Sequence, residues 1–257
     1  MRDIQNEIAE NLRQIEQREN VRILHAVESG SRAWGFASPD SDYDVRFIYV
    51  RSKNDYLRID EPRDVIEWQL DEVLDINGWD LKKALRQFAK GNATLFEWSG
   101  SPIVYRTTED WNQISKAAMP FFSEKAAVYH YYGTANSTLH EYLMKETVRY
   151  KKYFYALRPL LAAIYIERYH SAPPVLFDEL LRMDMSDELR QAIDKLLSIK
   201  KITTESEELP HIPAIIEFIQ AETARQKEIA AALPDDRKKD FSALNEVFRD
   251  TIGNCRD

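Results

Sequence analysis

Two aspartates and a neighbouring arginine lie at a spacing that could support metal chemistry. Asp42 and Asp44 are separated by one residue, and Arg46 follows at the same spacing. In a β-strand, side chains two residues apart point to the same face of the sheet, so these three would share one side. Two carboxylates side by side repel each other, and a cation between them relieves that repulsion. Because hard ions such as Mg2+ or Mn2+ prefer oxygen ligands, the pair predicts a divalent-metal site.

Gly30 and Ser31 follow an apolar segment and precede residues that favour a helix. Val21–Val27 is short and rich in β-branched residues, so it is predicted to be a strand that ends in this Gly-Ser turn. Backbone N–H groups in a strand-to-helix turn lack helical partners and bind phosphate, with the Ser31 hydroxyl as a further donor. Each motif alone is more often a plain turn or a solvated strand end. Their occurrence together, within about 20 residues, favours a site for a metal and a phosphate.

The segment Gly30–Arg46, GSRAWGFASPDSDYDVR, resembles the motif of the DNA polymerase β-type nucleotidyltransferase superfamily. In that superfamily a Gly-Ser turn holds the nucleotide phosphates, and an Asp-x-Asp on the next strand binds divalent metals. The fuller pattern is similar to a subgroup of predicted nucleotidyltransferases, the RNA-repair-pathway polymerase β-like family. The likeness extends to about Leu181 through six further segments: Asp80–Lys83, Gly91-Asn92, Glu97-Trp98, Ser101–Tyr105, Lys151–Leu161 and Pro173-Pro174.

The resemblance implies a transferase that moves a nucleoside monophosphate from an NTP to a hydroxyl group and releases pyrophosphate. Asp42 and Asp44 would bind the Mg2+ or Mn2+ ions, and ATP is the expected nucleotide. The residues expected to bind the nucleotide offer backbone N–H groups, a hydroxyl or a positive charge: Gly30, Ser31, Arg32, Arg46, Lys152 and Arg158. The implied acceptor is an RNA 3′ end, with a protein or a small molecule as the alternative. The second hypothesis is an inactive nucleotide- or RNA-binding module that acts within a complex.

A third carboxylate is expected, because two-metal nucleotidyl transfer needs one to bind the catalytic metal and activate the attacking hydroxyl. Residues 64–77 alternate between apolar and polar, which predicts a strand or a hairpin beside the strand of Asp42 and Asp44. Asp75 falls on the polar side near the end of that strand, so it is the predicted catalytic and metal-binding residue. Asp71 and Asp80 remain alternatives, although Asp80 could instead cap the next helix.

Lys152 and Arg158 belong to a later segment of basic and aromatic residues. Lys151, Tyr155 and Arg158 are spaced four and three residues apart, so on a helix they would share one face. Cations on this face would suit a triphosphate or an RNA phosphate. The alternative is a solvated helix face with Tyr155 half-buried. Because the resembling subgroup has a similar segment, a binding role is expected for Lys152 and Arg158.

The order of the sequence patterns predicts an α+β fold, in which a small mixed-sheet nucleotidyltransferase domain precedes an all-helical domain. The expected division is residues 1–107 for the catalytic domain and 108–257 for a substrate-binding helical domain. From Trp111 onward the pattern is helical. Gly133 and Pro159 are expected to bend or break two of the long helices.

Composition and charge limit the classes of protein to which this chain can belong. The formal net charge of −8 argues against tight non-specific binding to long duplex nucleic acid. The single cysteine, Cys255, excludes an intrachain disulfide and leaves a zinc cage without thiolates. No apolar run approaches the ~20 residues that span a bilayer, and the charged N-terminus does not resemble a signal peptide. The expected location is the cytoplasm.

Overall fold

The computed structural model describes residues 3–38, 41–68, 73–200 and 208–254. Contacts between residues divide the chain into two compact units. The first comprises the described residues of Met1–Trp34, Ser41–Phe122 and Arg237–Asp257. The second comprises those of Gly35–Asp40 and Ser123–Asp236. Across the described part of the chain, no helix is long and apolar enough to cross a bilayer.

The first unit contains a five-stranded sheet. Its strands are β1 (Arg22–Glu28), β2 (Tyr43–Val50), β3 (Val65–Glu67), β4 (Leu74–Asp80) and β5 (Val104–Thr107). Its helices up to Phe122 are α1 (Ile4–Glu19), α2 (Gly30–Ala33), α3 (Lys53–Tyr56), α4 (Leu81–Ala89), α5 (Ala93–Ser99) and α6 (Glu109–Ala118). The strand order is β3-β4-β2-β1-β5; β2 and β4 are parallel, whereas the other neighbours are antiparallel. The α+β prediction with a mixed sheet is confirmed.

The second unit is mainly helical. Its helices are α7 (Glu124–Thr138), α8 (Lys151–Tyr169), α9 (Phe177–Leu180), α10 (Asp187–Lys200) and α11 (Pro213–Ala232). A π-helical turn, Leu139–Leu143, extends α7. The unit also contains an antiparallel ribbon of β6 (Thr147–Arg149) and β7 (Glu208–Pro210), so the all-helical prediction is wrong in this detail. The chain then returns to the first unit in α12 (Ser242–Gly253).

Local sequence signals in the second unit are overridden by long-range contacts. The helical pattern expected from Trp111 onward is interrupted before Lys151, because the β-branched Thr147 and Val148 pair with a strand from much later in the chain. Gly133 and Pro159 do not break their helices, since α7 and α8 are continuous through them. Tertiary packing holds α8 together at the proline, as the surrounding residues Ala156–Ile164 are almost all buried.

The pairing of β2 with β4 fixes which residues lie side by side. Tyr43 pairs with Leu74, Asp44 with Asp75, and Phe47 with Gly78. A Cβ atom on Gly78 would lie 2.1 Å from a ring carbon of Phe47, so the ring occupies the space that any other residue would need. A shift of one residue would place Asn77 or Trp79 under that ring, which the space excludes. The glycine therefore locks the register.

Both faces of the sheet are buried. One face packs against α4, α5, α6 and α12 in an apolar cluster to which the strands contribute Leu24, Val27, Ile48 and Val50. The other face packs against α1, whose Ile8, Leu12 and Ile15 form one buried apolar stripe. The strands contribute to this second cluster Ile23, Ala26, Val45, Phe47, Tyr49, Ile66, Leu74 and Ile76. The sheet is thus a rigid support for side chains at its ends.

The compact units differ from the predicted division at residue 107. The first unit extends to Phe122, because α6 packs on the sheet through the buried residues Trp111 and Ile114. It also includes α12, whose Leu244 and Val247 join the same apolar cluster. The first unit is therefore completed by α12, through a contact that no local pattern in the sequence reveals.

His25 in β1 provides a pH test of this packing. The His25 ring stacks on the Trp111 ring, with 4.5 Å between the ring centres. Burial lowers the pKa of His25 from 6.5 to about 4, and the hydrogen bond to the Trp98 carbonyl opposes this shift in part. The unfolded chain binds a proton below pH 6.5, whereas the folded protein does so near pH 4, so stability is lost as the pH falls through this window. The free energy of urea unfolding should fall between pH 7 and pH 4.5 in the wild type. We expect this fall to be about 2 to 3 kcal/mol smaller in His25→Phe.

The control for this experiment is His140→Phe, which makes the same substitution at an exposed histidine. Other groups that titrate in this range cancel in the difference between wild type and variant. A pH slope of His25→Phe equal to that of the wild type would contradict the buried, neutral state of His25.

Candidate active site

The turn between β1 and α2 brings the backbone of Gly30 against the carboxylate of Asp44. Gly30 has a φ of +61°, a conformation that glycine adopts without steric cost. A Cβ atom at this position would lie 2.3 Å from Oδ2 of Asp44. The Ser29 N–H also donates to the Asp44 carbonyl oxygen at 2.8 Å. The two motifs found in the sequence, the Gly-Ser turn and the Asp-x-Asp, are therefore in direct contact.

Asp75 lies on β4 beside Asp44. The parallel register pairs these two residues directly, so their side chains emerge on the same face of neighbouring strands. Their side chains are 33% and 40% exposed, respectively, which leaves both carboxylates open to a ligand. Of the two candidates that the structure describes, Asp75 and Asp80, Asp75 is the one that lies next to Asp44.

Arg46 joins these two carboxylates. Its Nη2 donates to Oδ1 of Asp44 at 3.0 Å and to Oδ2 of Asp75 at 2.8 Å. Its Nη1 donates to the carbonyl oxygens of Val45 and Asp75, both at 3.1 Å. The arginine predicted as a phosphate ligand therefore forms ion pairs inside the carboxylate cluster.

Glu28 supports the backbone of Asp44 and was not predicted as a site residue. It is fully buried, and its Oε1 accepts the backbone N–H of Asp44 at 2.8 Å while its Oε2 accepts the Tyr105 hydroxyl. Burial raises the pKa of Glu28, which the bond from Tyr105 opposes in part. The sequence did contain a signal for it: an acidic residue that ends an apolar strand immediately before the Gly-Ser turn.

The site concentrates negative charge where solvent is partly excluded. Burial is the main cause that raises the pKa of Asp44, the positive charge of Arg46 lowers it, and the charges of Asp75 and Asp42 raise it further. Asp44 therefore lies within electrostatic reach of both other carboxylates. A cluster of this kind attracts cations, because each bound positive charge relieves the repulsion.

The two alternatives to Asp75 have different outcomes. Asp80 caps α4 through a 2.8 Å bond from the Lys82 N–H and accepts the Tyr56 hydroxyl at 2.8 Å. It pairs with Tyr49 at the far end of β2, five positions from Asp44, which is on the order of 16 Å along the strand. The capping role considered for Asp80 is thus observed. Asp71 lies outside the described residues.

Arg32, Ser31 and Asp42 surround the entrance to β2. Asp42 is exposed and immediately precedes the strand, while Ser31 is buried in the turn. The Arg32 guanidinium donates to the carbonyl oxygens of Ser41 and Asp42 and lies 3.7 Å from the centre of the Tyr43 ring. Arg32 therefore holds the segment that carries Asp42 through the backbone carbonyls of that segment.

Lys152 and Arg158 lie in the second unit and are described by their surroundings there. The Lys152 ammonium lies 3.6 Å from the centre of the Tyr142 ring. Arg158 is only 2% exposed and lies over the ring of Tyr131, with a long bond to the Val175 carbonyl. Such burial favours a structural role for Arg158. It argues against a position on a solvated helix face and against contact with a nucleotide. The binding role of Lys152 stays a prediction.

Asp44 in β2 and Asp75 in β4 are chemically suited to bind a hard divalent cation. Carboxylate oxygens are suitable donors, and the Arg46 guanidinium shows that a positive charge is accommodated between Asp44 and Asp75. Among the described residues, no group of three or more His, Cys, Asp or Glu side chains is arranged to hold a metal ion. The preformed part is therefore a carboxylate pair, and a metal would complete its ligand set from substrate phosphates and water.

The chain is similar to known proteins over most of its length. The model of the RNA repair pathway DNA polymerase beta family (RlaP) matches residues 4–250. The protein YcgL of Bacillus subtilis (strain 168), described as uncharacterized, is 43% identical over 249 residues, which is 95% of each chain. A nucleotidyltransferase-like protein from Exiguobacterium sibiricum 255-15 is 11% identical, with 97% of this chain and 81% of that chain covered. Its TM-score of 0.32 is too low to establish a common fold.

The contact between Gly30 and Asp44 predicts the effect of adding one methyl group. In Gly30→Ala the new Cβ would meet Oδ2 of Asp44, and the positive φ adds backbone strain. We expect a loss of about 1 to 3 kcal/mol in the free energy of urea unfolding. The matched control is Gly133→Ala in α7, where nothing lies within 4 Å of the added Cβ, so the variant should gain about 1 kcal/mol. Equal stability of Gly30→Ala and wild type would contradict the close approach.

Proposed function

Because the chain belongs to the RNA repair pathway DNA polymerase beta family, we propose that it is a metal-dependent nucleotidyltransferase that moves an NMP from an NTP to a hydroxyl acceptor. The observation that carries the proposal is the direct pairing of Asp44 with Asp75, next to a turn that leaves no room for a side chain at Gly30. Paired carboxylates beside a close backbone approach are what a metal-bridged triphosphate requires. A structural helical scaffold would need neither feature.

Each residue of the site has a proposed role. Asp42, Asp44 and Asp75 are the metal ligands, and a bound Mg2+ or Mn2+ would neutralise charge on the triphosphate oxygens. Asp75 is the proposed general base, supported by its 40% exposure and its place beside Asp44. The acceptor oxygen attacks the α-phosphorus, its proton passes to Asp75, and the bond from the α-phosphorus to the bridging oxygen breaks. Pyrophosphate then leaves with that oxygen.

The nucleotide phosphates are proposed to lie against Gly30 and Ser31. The absence of a side chain at Gly30 lets this turn lie directly against the Asp44 carboxylate, so a phosphate held at the turn would lie close to a metal bound by Asp44. The Ser31 hydroxyl is a further donor. Catalysis would come mainly from positioning and electrostatics, as in other phosphoryl transfers. Lys152 belongs to the second unit, and its expected role in nucleotide binding stays a prediction.

The acceptor is proposed to be an RNA 3′ end, with ATP as the donor and the cytoplasm as the location. The support for RNA is the family to which the chain belongs. The net charge of −8 is compatible with one RNA end bound locally, though not with extended duplex binding. A protein hydroxyl or a small molecule would use the same chemistry at the α-phosphorus.

The transfer reaction can be tested with α-32P-labelled NTPs, Mg2+ or Mn2+, cellular RNA and protein extract. We expect label from ATP to appear on RNA and the rate to fall about 100-fold or more in Asp42→Ala/Asp44→Ala, because the transition-state charge loses its counter-charge. Label on a protein band would keep the chemistry and change the acceptor. Metal-dependent nucleotide binding without transfer would instead favour the inactive binding module, and no binding at all would contradict the site.

Asp75 and Asp80 can be distinguished in the same assay. In Asp75→Asn the transfer rate should fall by about 100-fold or more, while stability should change little because the Asp75 side chain is 40% exposed. Asp80→Ala should retain the rate but lose about 1 to 3 kcal/mol of unfolding free energy, because α4 loses its cap and the Tyr56 hydroxyl its partner. The opposite pattern would reassign the third carboxylate.

A further inference from the structure

The guanidinium of Arg46 has a position that an ordinary phosphate ligand would not have. It is bonded by one nitrogen to two carboxylates, Asp44 and Asp75, and by the other to two backbone carbonyls. The side chain is 18% exposed, so these bonds are shielded in part from water. Arg46 thus compensates the repulsion of the carboxylate pair, which is the task that a metal performs in a loaded site.

This placement has opposite consequences for the two ligands of the proposed reaction. A free divalent cation that approaches Asp44 and Asp75 meets the positive charge of Arg46 and must share or replace its bonds, so its binding is weakened. A cation that arrives with a triphosphate brings more negative than positive charge, which Arg46 stabilises. The sign of both effects is the same whether the guanidinium stays in place or moves aside.

We propose that Arg46 is an internal counter-ion that determines the form in which ligands bind. It keeps the Asp44–Asp75 pair assembled without metal, disfavours binding of the free cation and favours binding of the metal–nucleotide complex. The inference rests on the proposed function and adds to it the form in which the donor substrate enters. Free metal ions alone would then leave the site in its Arg46-bridged state. The metal–nucleotide complex is the species that binds.

The test is a pair of titrations with wild type, Arg46→Gln and Arg63→Gln. The first measures binding of Mn2+ alone by the loss of its free electron paramagnetic resonance signal. The second measures binding of a preformed complex of Mn2+ and a non-hydrolysable ATP analogue by calorimetry. The matched control is Arg63→Gln, which removes the same charge from the same unit at a 78% exposed side chain that pairs with Glu67.

We expect the two titrations of Arg46→Gln to change in opposite directions. Mn2+ alone should bind roughly tenfold more tightly than to wild type, and the Mn2+–nucleotide complex roughly tenfold more weakly. Arg63→Gln should stay within about twofold of wild type in both. Weaker binding in both titrations would mean that Arg46 only supports the structure. Tighter or unchanged binding of the Mn2+–nucleotide complex would mean that Arg46 does not favour the nucleotide. Either result overturns the inference.

Two further variants keep the test decisive. If Arg46→Gln does not fold by circular dichroism, Arg46→Lys keeps the charge and loses the two-pronged geometry, so it should lie between wild type and the expected values in both titrations. Values for Arg46→Lys outside that interval overturn the inference. Asp44→Asn separates this inference from the proposed function. If wild type binds neither ligand, or Asp44→Asn binds both as wild type does, the proposed site itself fails.

Discussion

The parallel pairing of β2 with β4 is the constraint on which the rest of the site depends. It places Asp75 beside Asp44, although the two residues are separated in the chain by α3 and β3. Gly78 secures this register, because the Phe47 ring fills the space above it. Both faces of the sheet are buried under helices, so the strand ends are held rigidly. The carboxylate pair is therefore positioned by the apolar core and not by a flexible loop.

The site accumulates charge that the fold must compensate. Burial raises the pKa values of Glu28 and Asp44, which means that their ionised forms are unfavourable where they lie. Hydrogen bonds from the Tyr105 hydroxyl and the Asp44 N–H to Glu28, and ion pairs from Arg46, offset this cost in part. Such an arrangement is typical of functional sites, where stability is exchanged for preorganised charge.

The sequence predicted what local patterns determine and missed what long-range pairing determines. Strand β2 and the neighbourhood of Gly30 and Asp44 followed from alternation and turn chemistry, and the family resemblance was confirmed. The choice between Asp75 and Asp80 required the register, since both are acidic residues of one strand. Glu28 was overlooked because a single buried carboxylate has no periodic signal. The β6–β7 ribbon was missed because its strands come from distant parts of the chain.

The most direct test of this account is the position of bound Mn2+ in crystals grown with a non-hydrolysable ATP analogue. Anomalous scattering locates the ion without reference to any assumed mechanism. We expect an anomalous peak about 2.0 to 2.3 Å from carboxylate oxygens of Asp44 and Asp75, with the triphosphate beside Gly30. A peak at Asp80, or a triphosphate bound away from the turn between β1 and α2, would contradict it.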